Sequence, residues 1–403
     1  MTSDTELRAR EAKIGGEPRT GSGAGALIRR AVGAYVVLAV LLTGVVALGA
    51  NSSGAQPLPF EFEGADIVGG WCRFDCGWYV GIADDGYFFR ELPAEPSAID
   101  QSSVAYFPAY PLAVRAVAQA VGVTPIAAVL VAWLSGLAAV VLFAVWCRRH
   151  LERRTASIAV ACMVLFPYAW YLFGAGYSDA LFLAAAISAF VLLEHDHPLL
   201  AGLAGALATA SRPVGLAVAV GLVLLTLEKH GTRFDVRALR GRDLGVLLAP
   251  AGLVAWVVWL GAEFGEPFAF TKVQAAWDQA PGLHTWFKVD FFKEVYAFHD
   301  YGYRVALVIE MVVTLVALVC VWFVGKRFGF AYGAYTALVV AVPAIGTKDF
   351  HGMGRYTLAA FPLFALTGEL LSNRSRLRHG ALIASTALLA VGAFGYGRGW
   401  YLS

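Results

Sequence analysis

Charge is scarce in this chain: of 403 residues only 15% are Asp, Glu, Lys or Arg, while 59% are hydrophobic. Soluble domains carry ~25% charged residues, so this deficit argues against water as the main solvent and for lipid. Cysteine is scarce too, with five in all, and no second Cys/His pair stands near the first to complete a zinc site. The formal net charge is +2, which leaves no electrostatic reason to expect nucleic acid as a partner. There is no repeat of roughly 20–50 residues, and the ~10-residue alternating segments of an outer-membrane barrel are missing.

What the sequence has instead is a series of apolar runs divided by short charged loops, the hydropathy pattern of helices that cross a bilayer. The expected spans are residues 31–50, 124–146, 156–173, 179–193, 199–210, 214–227, 244–260, 305–324, 329–345, 357–371 and 381–394. That makes an all-α polytopic membrane protein of about eleven transmembrane helices. Two of these are too short to cross ~30 Å alone, which predicts that they meet at a turn in the protein interior. Residues 1–30 are polar and Gly-rich and read as a disordered tail. The run after the tail is longer than a signal h-region and lacks an obvious cleavage site, so it reads as a retained helix.

Arginine and lysine set the orientation. Arg148, Arg149, Arg153 and Arg154, then Lys229, Arg233, Arg237, Arg240 and Arg242, then Lys326 and Arg327, then Arg374, Arg376 and Arg378 fall in alternate loops. The positive-inside rule places these loops and the N-terminal tail in the cytoplasm of a plasma-membrane protein. The opposite loops then face outward, the longest being residues 51–123 and 261–304. Cys72 and Cys76 lie in the first of these, where a disulfide and two free thiols are both open readings.

The outward loops are too long and too aromatic to be passive linkers. Residues 71–90 read WCRFDCGWYVGIADDGYFFR, and residues 104–121 start with two prolines and continue as an amphipathic stretch suited to a helix lying on the membrane surface. Polar groups gather where spans end on the same side: Tyr177, Ser178 and Asp179; Ser211 and Arg212; Lys348, Asp349, His351, Arg355 and Tyr356. Ionisable groups near a bilayer are costly and are functional candidates by default, although any one of them could cap a helix or snorkel to the surface. Several cations at one membrane face suit a lipid-phosphate donor, because they stabilise charge on a departing phosphate. The acceptor hydroxyl then needs a general base, and Asp75, set among Trp71, Phe74, Trp78 and Tyr79, fits best. Asp84 and Asp85 compete, but they precede Gly86 and could simply build a turn. A divalent ion would find two carboxylates there and nothing else in the loop to complete its shell.

Four blocks carry a resemblance. The run from Trp71 through Asp75, Trp78 and Tyr79 to Ile82-Ala83 and Gly86-Tyr87 is similar to the W-x-x-W-D-x-x-W-Y-x-x-I-A-x-x-G-Y block of PIG-V-type mannosyltransferases (GPI mannosyltransferase II and its bacterial relatives). Phe107-Pro108-Ala109-Tyr110-Pro111, the Tyr177-Ser178-Asp179 to Phe182 block and Ser211-Arg212-Pro213-Val214-Gly215 resemble further blocks in the same order. Gln274 with Trp277, and Arg355-Tyr356 before Phe361-Pro362, look familiar as well. Phe74 stands where the family usually has Trp, and Asp179 where it usually has Glu.

The resemblance implies a GT-C fold for residues 31–403 as a single catalytic domain. It also implies inverting transfer of a sugar, mannose first, from a polyprenyl-phosphate donor to a glycolipid or lipoglycan acceptor outside the cytoplasm, without a cofactor. Asp75 takes the catalytic position. Arg212, Lys348, His351 and Arg355 fall near the donor phosphate, and Trp78, Tyr79, Tyr110, Tyr177, Asp179, Gln274, Trp277 and Tyr356 near substrate. Two other classes compete. A flippase or transporter of a lipid-linked precursor usually carries inverted repeats, and no matched pair of segments is visible here. A non-catalytic scaffold would tolerate loss of Asp75, Arg212 and Arg355.

Overall fold

The computed structural model describes residues 22–59, 66–231, 239–277, 279, 282–297 and 301–401. Among them every regular element is helical, and there is no strand. The first helix, α1 (Ser22–Ala50), starts well before residue 31, so the end of the expected tail is helical; residues 1–21 lie outside the described residues. Leu27, Ala31, Tyr35, Leu42 and Val46 form one buried stripe along α1, so the apolar face that holds the helix in place begins at Leu27.

After α1 the chain makes α2 (Asp75–Asp85) and α3 (Ala109–Val121) in the first long loop. It then enters α4 (Thr124–His150), α5 (Arg153–Val164), α6 (Asp179–Glu194), α7 (Pro198–Ser211) and α8 (Leu216–His230). Beyond these come α9 (Ala251–Phe264), α10 (Val289–Ala297), α11 (Tyr301–Phe328), α12 (Phe330–Gly346), α13 (Met353–Ala359), α14 (Pro362–Ser372) and α15 (Ser375–Arg398). The chain is a multi-pass membrane protein. Among the described residues five helices are long and apolar enough to cross a bilayer, or six if the bent pair Gly241–Leu248 and Ala251–Phe264 is one span.

The expected count of about eleven transmembrane helices is not confirmed, and proline explains three of the differences. The expected span 156–173 stops at Val164, ahead of Pro167, and resumes as a short 3-10 turn at Ala169–Leu172. The span 244–260 bends by 48° where Pro250 stands. The span 357–371 divides at Pro362 into α13 and α14. A proline has no N–H to give and disfavours helix in the residue before it, so each run that hydropathy reads as continuous is broken.

Close approach of backbones sets the packing. A Cβ on Gly136 of α4 would collide with the Leu172 carbonyl, on Gly252 of α9 with the Ala206 carbonyl, and on Gly397 of α15 with the Val46 carbonyl. Small residues at helix contacts are the usual device where lipid removes the hydrophobic drive between helices. Helix α4 covers 27 residues, or roughly 40 Å.

Basic groups collect at one end. His150 bonds Glu194 at 2.8 Å, Arg327 pairs with Glu369 at 2.6 Å, and Arg30, Arg153, Arg154 and Arg378 share a cleft. Asp75, Asp179 and the C-terminal turn of α15 lie at the other end.

Candidate functional site

Asp75 is the first residue of α2, where a carboxylate is favoured by the helix dipole. Its surroundings are held from several directions. Cys76 is joined to Cys72 by a disulfide, and both are buried. Gly176 packs so tightly on Cys76 Sγ that a Cβ there would clash, and its N–H donates to the Trp71 carbonyl at 3.1 Å. The Tyr396 hydroxyl of α15 donates to the same carbonyl at 3.0 Å. Arg73 is buried beneath and donates to the Pro57 and Gln56 carbonyls, and burial pushes its pKa down. Phe74 takes φ 54, a conformation uncommon for a side chain of that size, and this turns the chain into α2.

The carboxylate of Asp75 is shared between two partners. Oδ1 accepts the Tyr106 hydroxyl at 3.2 Å, and Oδ2 lies 3.3 Å from the Arg355 guanidinium. The backbone N–H of Asp75 donates to the Tyr177 hydroxyl at 3.2 Å. The Asp75 and Arg355 side chains keep 24% and 18% of their surface accessible, so a reactant can reach both. Burial, with the Asp75 charge next in weight, raises the Tyr106 pKa well above its usual value, so Tyr106 stays a neutral donor.

Arg355, on α13, lies over the Tyr177 ring at 5.5 Å and the Tyr356 ring at 5.8 Å, while its Nε is buried without a hydrogen bond. Arg212 sits behind it: it is ion-paired with Asp179, stacks over Tyr356 at 4.5 Å and is 7% exposed. Of the two arginines expected at a phosphate, Arg355 keeps spare capacity, whereas Arg212 is committed to Asp179.

The other expected residues divide in the same way. Trp78 stacks on Tyr106 at 5.6 Å and meets Trp277 at 6.0 Å, so a residue from the second long loop joins the wall beside Asp75. Tyr79 donates its hydroxyl to Ser178 at 3.0 Å. Lys348 faces Glu294 at 3.5 Å, and His351 stacks on Tyr401 at 4.5 Å, which in turn packs on Phe74 at 5.1 Å. Three more of the expected residues make contacts within the protein. Tyr110 is fully buried and gives its hydroxyl to the Ala128 carbonyl, so it supports Tyr79 from below. Asp179 is 5% exposed and occupied by Arg212, as noted, so it holds the arginine. The Gln274 side chain turns back onto the Phe270 carbonyl, one helical turn away. Asp84 accepts the Thr124 hydroxyl at 2.5 Å. Among the described residues no group of three His, Cys, Asp or Glu residues could hold a metal.

Sequence reasoning missed Tyr106, Tyr401, Lys288 and Glu310. Lys288 is buried, donates to the Thr347 carbonyl, and is pushed down to about 8 by burial. Glu310 lies within α11, is 1% exposed, and accepts the Gly352 N–H at 3.0 Å, just ahead of the helix that carries Arg355. A lone carboxylate in an apolar span was the available signal for Glu310. Tyr106 and Tyr401 gave none, because aromatics at membrane interfaces are common as anchors.

No family model matches the chain, and no curated protein does so significantly. Solved structures do. The crystal structure of ArnT from Cupriavidus metallidurans bound to undecaprenyl phosphate superposes with a TM-score of 0.53 over 92% of this chain and 76% of ArnT, at 14% identity. The fold is GT-C. The Archaeoglobus fulgidus oligosaccharyltransferase in its apo form gives a TM-score of 0.46 at 10% identity, over 91% of this chain and 56% of that one.

Proposed function

We propose that this GT-C chain is an inverting membrane glycosyltransferase that takes its sugar from a polyprenyl-phosphate donor and uses Asp75 as general base. The observation that carries the reading is the pairing of a reachable carboxylate with a reachable cation. Asp75 and Arg355 stand within contact distance, the first at the start of α2 and the second on α13. The ArnT structure, whose fold this chain shares, holds undecaprenyl phosphate.

In the proposed reaction the acceptor hydroxyl oxygen attacks the anomeric carbon. The bond from that carbon to the phosphate oxygen breaks on the opposite face, and its electrons leave with the polyprenyl phosphate. The hydroxyl proton passes to Asp75. Arg355 neutralises the charge that builds on the phosphate. Arg212 holds Tyr356 under Arg355 from behind, and Lys348 and His351 border the same region. The donor phosphate competes with Asp75 for Arg355, so its binding frees the carboxylate to accept a proton. The PIG-V-type resemblance around Asp75 makes mannose the first sugar to test and a glycolipid or lipoglycan the first acceptor class. The basic end faces the cytoplasm by the positive-inside rule, which puts the Asp75 end outside the plasma membrane.

The test is transfer of labelled mannose from polyprenyl-phosphate mannose by the purified protein into extracted envelope glycolipid. Polyprenyl-phosphate arabinose and glucose run alongside decide the sugar. If labelled lipid crosses vesicles and no sugar moves, the flippase class replaces this reading.

A further inference from the structure

At the end of the bundle opposite Asp75, Arg30 from α1, Arg153 and Arg154 from α5 and Arg378 from α15 line one cleft of about 530 Å³. Its remaining lining is Ser157 and the buried Ile158. No carboxylate lines it, and none of the four arginines has an ion-pair partner among the described residues. Arg153 and Arg154 open α5 at the positive end of its dipole, next to the N-cap residue Glu152, and Arg378, in the first turn of α15, donates to the Ser372 carbonyl at the end of α14 at 3.0 Å. A cation in the first turn of α5 costs roughly 0.3–1 kcal/mol. Neither helix start has a side-chain cap, so free backbone N–H groups add to the same positive field. The positive-inside rule accounts for arginines at this end. It does not account for four of them, from three helices, converging around one cleft without an acid.

We infer that this cleft binds the phosphate headgroup of an anionic phospholipid. Exposed apolar side chains on two of the same helices suit acyl chains: Val36, Val37 and Val40 on α1, and Leu377 and Ile383 on α15. The bound phosphate offsets the charge gathered at the two helix starts and ties α1, α5 and α15 together. Basic pockets between membrane helices recognise anionic headgroups by this chemistry.

The test is native mass spectrometry of the full-length protein, released from detergent with phosphatidylglycerol or phosphatidylcholine added. The expected result is retained phosphatidylglycerol, little phosphatidylcholine, and at least tenfold weaker retention in an Arg154→Gln/Arg378→Gln double variant that melts normally. An Arg148→Gln/Arg376→Gln control, on the same basic end but outside the cleft, retains the lipid. Equal binding of the two lipids, or equal loss in both double variants, overturns the assignment. Inorganic phosphate alone is the third arm. If it raises the melting temperature as much as the lipid does, the cleft is a site for soluble phosphate and the lipid assignment fails.

Discussion

Asp75 and Arg355 are 280 positions apart in the chain, yet Oδ2 of one lies 3.3 Å from the guanidinium of the other. The proposed mechanism asks one guanidinium to serve both Asp75 and the donor phosphate, which sets the two in conflict. On the proposed mechanism the donor phosphate resolves this conflict by taking the arginine. Asp75→Asn keeps the shape and the acceptor for Tyr106 while removing the basicity. It should lower kcat by about 10²–10⁴, the usual contribution of general base catalysis. Donor affinity should be unchanged or tighter, because Arg355 no longer has a charged competitor. Sugar transfer and polyprenyl-phosphate binding, measured on the same preparation, check both halves.

Replacing Arg355 separates binding from chemistry in another way. Arg355→Ala removes a charge-assisted contact worth about 1.5–3 kcal/mol, so the donor KM should rise roughly 10- to 150-fold. Arg355→Lys should recover only part, since an ammonium cannot reproduce the planar fork that lies over Tyr177 and Tyr356. A donor titration of kcat and KM for the two variants decides it. An unchanged KM in Arg355→Ala would remove Arg355 from the phosphate.

How far the sequence anticipated this site depends on what each residue's signal was. Asp75, Tyr177 and Arg355 lie in three blocks picked out by charge and aromatics at one membrane face, and the structure joins them. The membrane class followed from scarce charge, but the helix count did not, because hydropathy averages over Pro167, Pro250 and Pro362 and reads through them. Arg212 and Asp179 both looked like ligands for substrate. Their pairing depends on helices α6 and α7 bringing their ends together, which no local pattern encodes. Lys288 was invisible because it is one lysine in an aromatic-rich loop, and only the fold buries it.

The Asp179–Arg212 pair gives a stability prediction. Both are buried, so removing one partner strands a charge, at a cost of about 3–5 kcal/mol. Arg212→Met and Asp179→Asn should each lower the melting temperature sharply in detergent. The Asp179→Asn/Arg212→Gln double variant, with no buried charge left, should recover much of it. Additive losses in the double variant would show that the two do not act as a pair.

The Cys72–Cys76 bridge closes only one turn of chain, so its loop entropy is small. Its effect should fall on the geometry of Asp75, next to Cys76. Cys72→Ser/Cys76→Ser should melt within a few degrees of the parent and lose transfer activity with kcat, more than KM, affected. A proportional fall in melting temperature and activity would instead mark the bridge as a general staple.

Lys288 gives the pH dependence. Its folded pKa of about 8 lies below the ordinary 10.5, because burial disfavours the ammonium. Between those values the unfolded chain binds more protons than the folded one, so stability rises as pH increases from 8 to 10.5. Below pH 8 the charged lysine carries its full penalty, with an upper bound of roughly 3 kcal/mol from a gap of about 2.5 pH units. Lys288→Met removes the titrating group and leaves the Thr347 carbonyl without this donor, which limits the gain. The parent's melting temperature should therefore rise between pH 8 and 10, and the variant's should not. Parallel slopes for parent and variant would assign the rise to another group, and Glu294 cannot supply it. Burial and Asp349 raise the Glu294 pKa, so its contribution would be stability lost as pH rises through the folded value. The sign of the slope thus distinguishes the two.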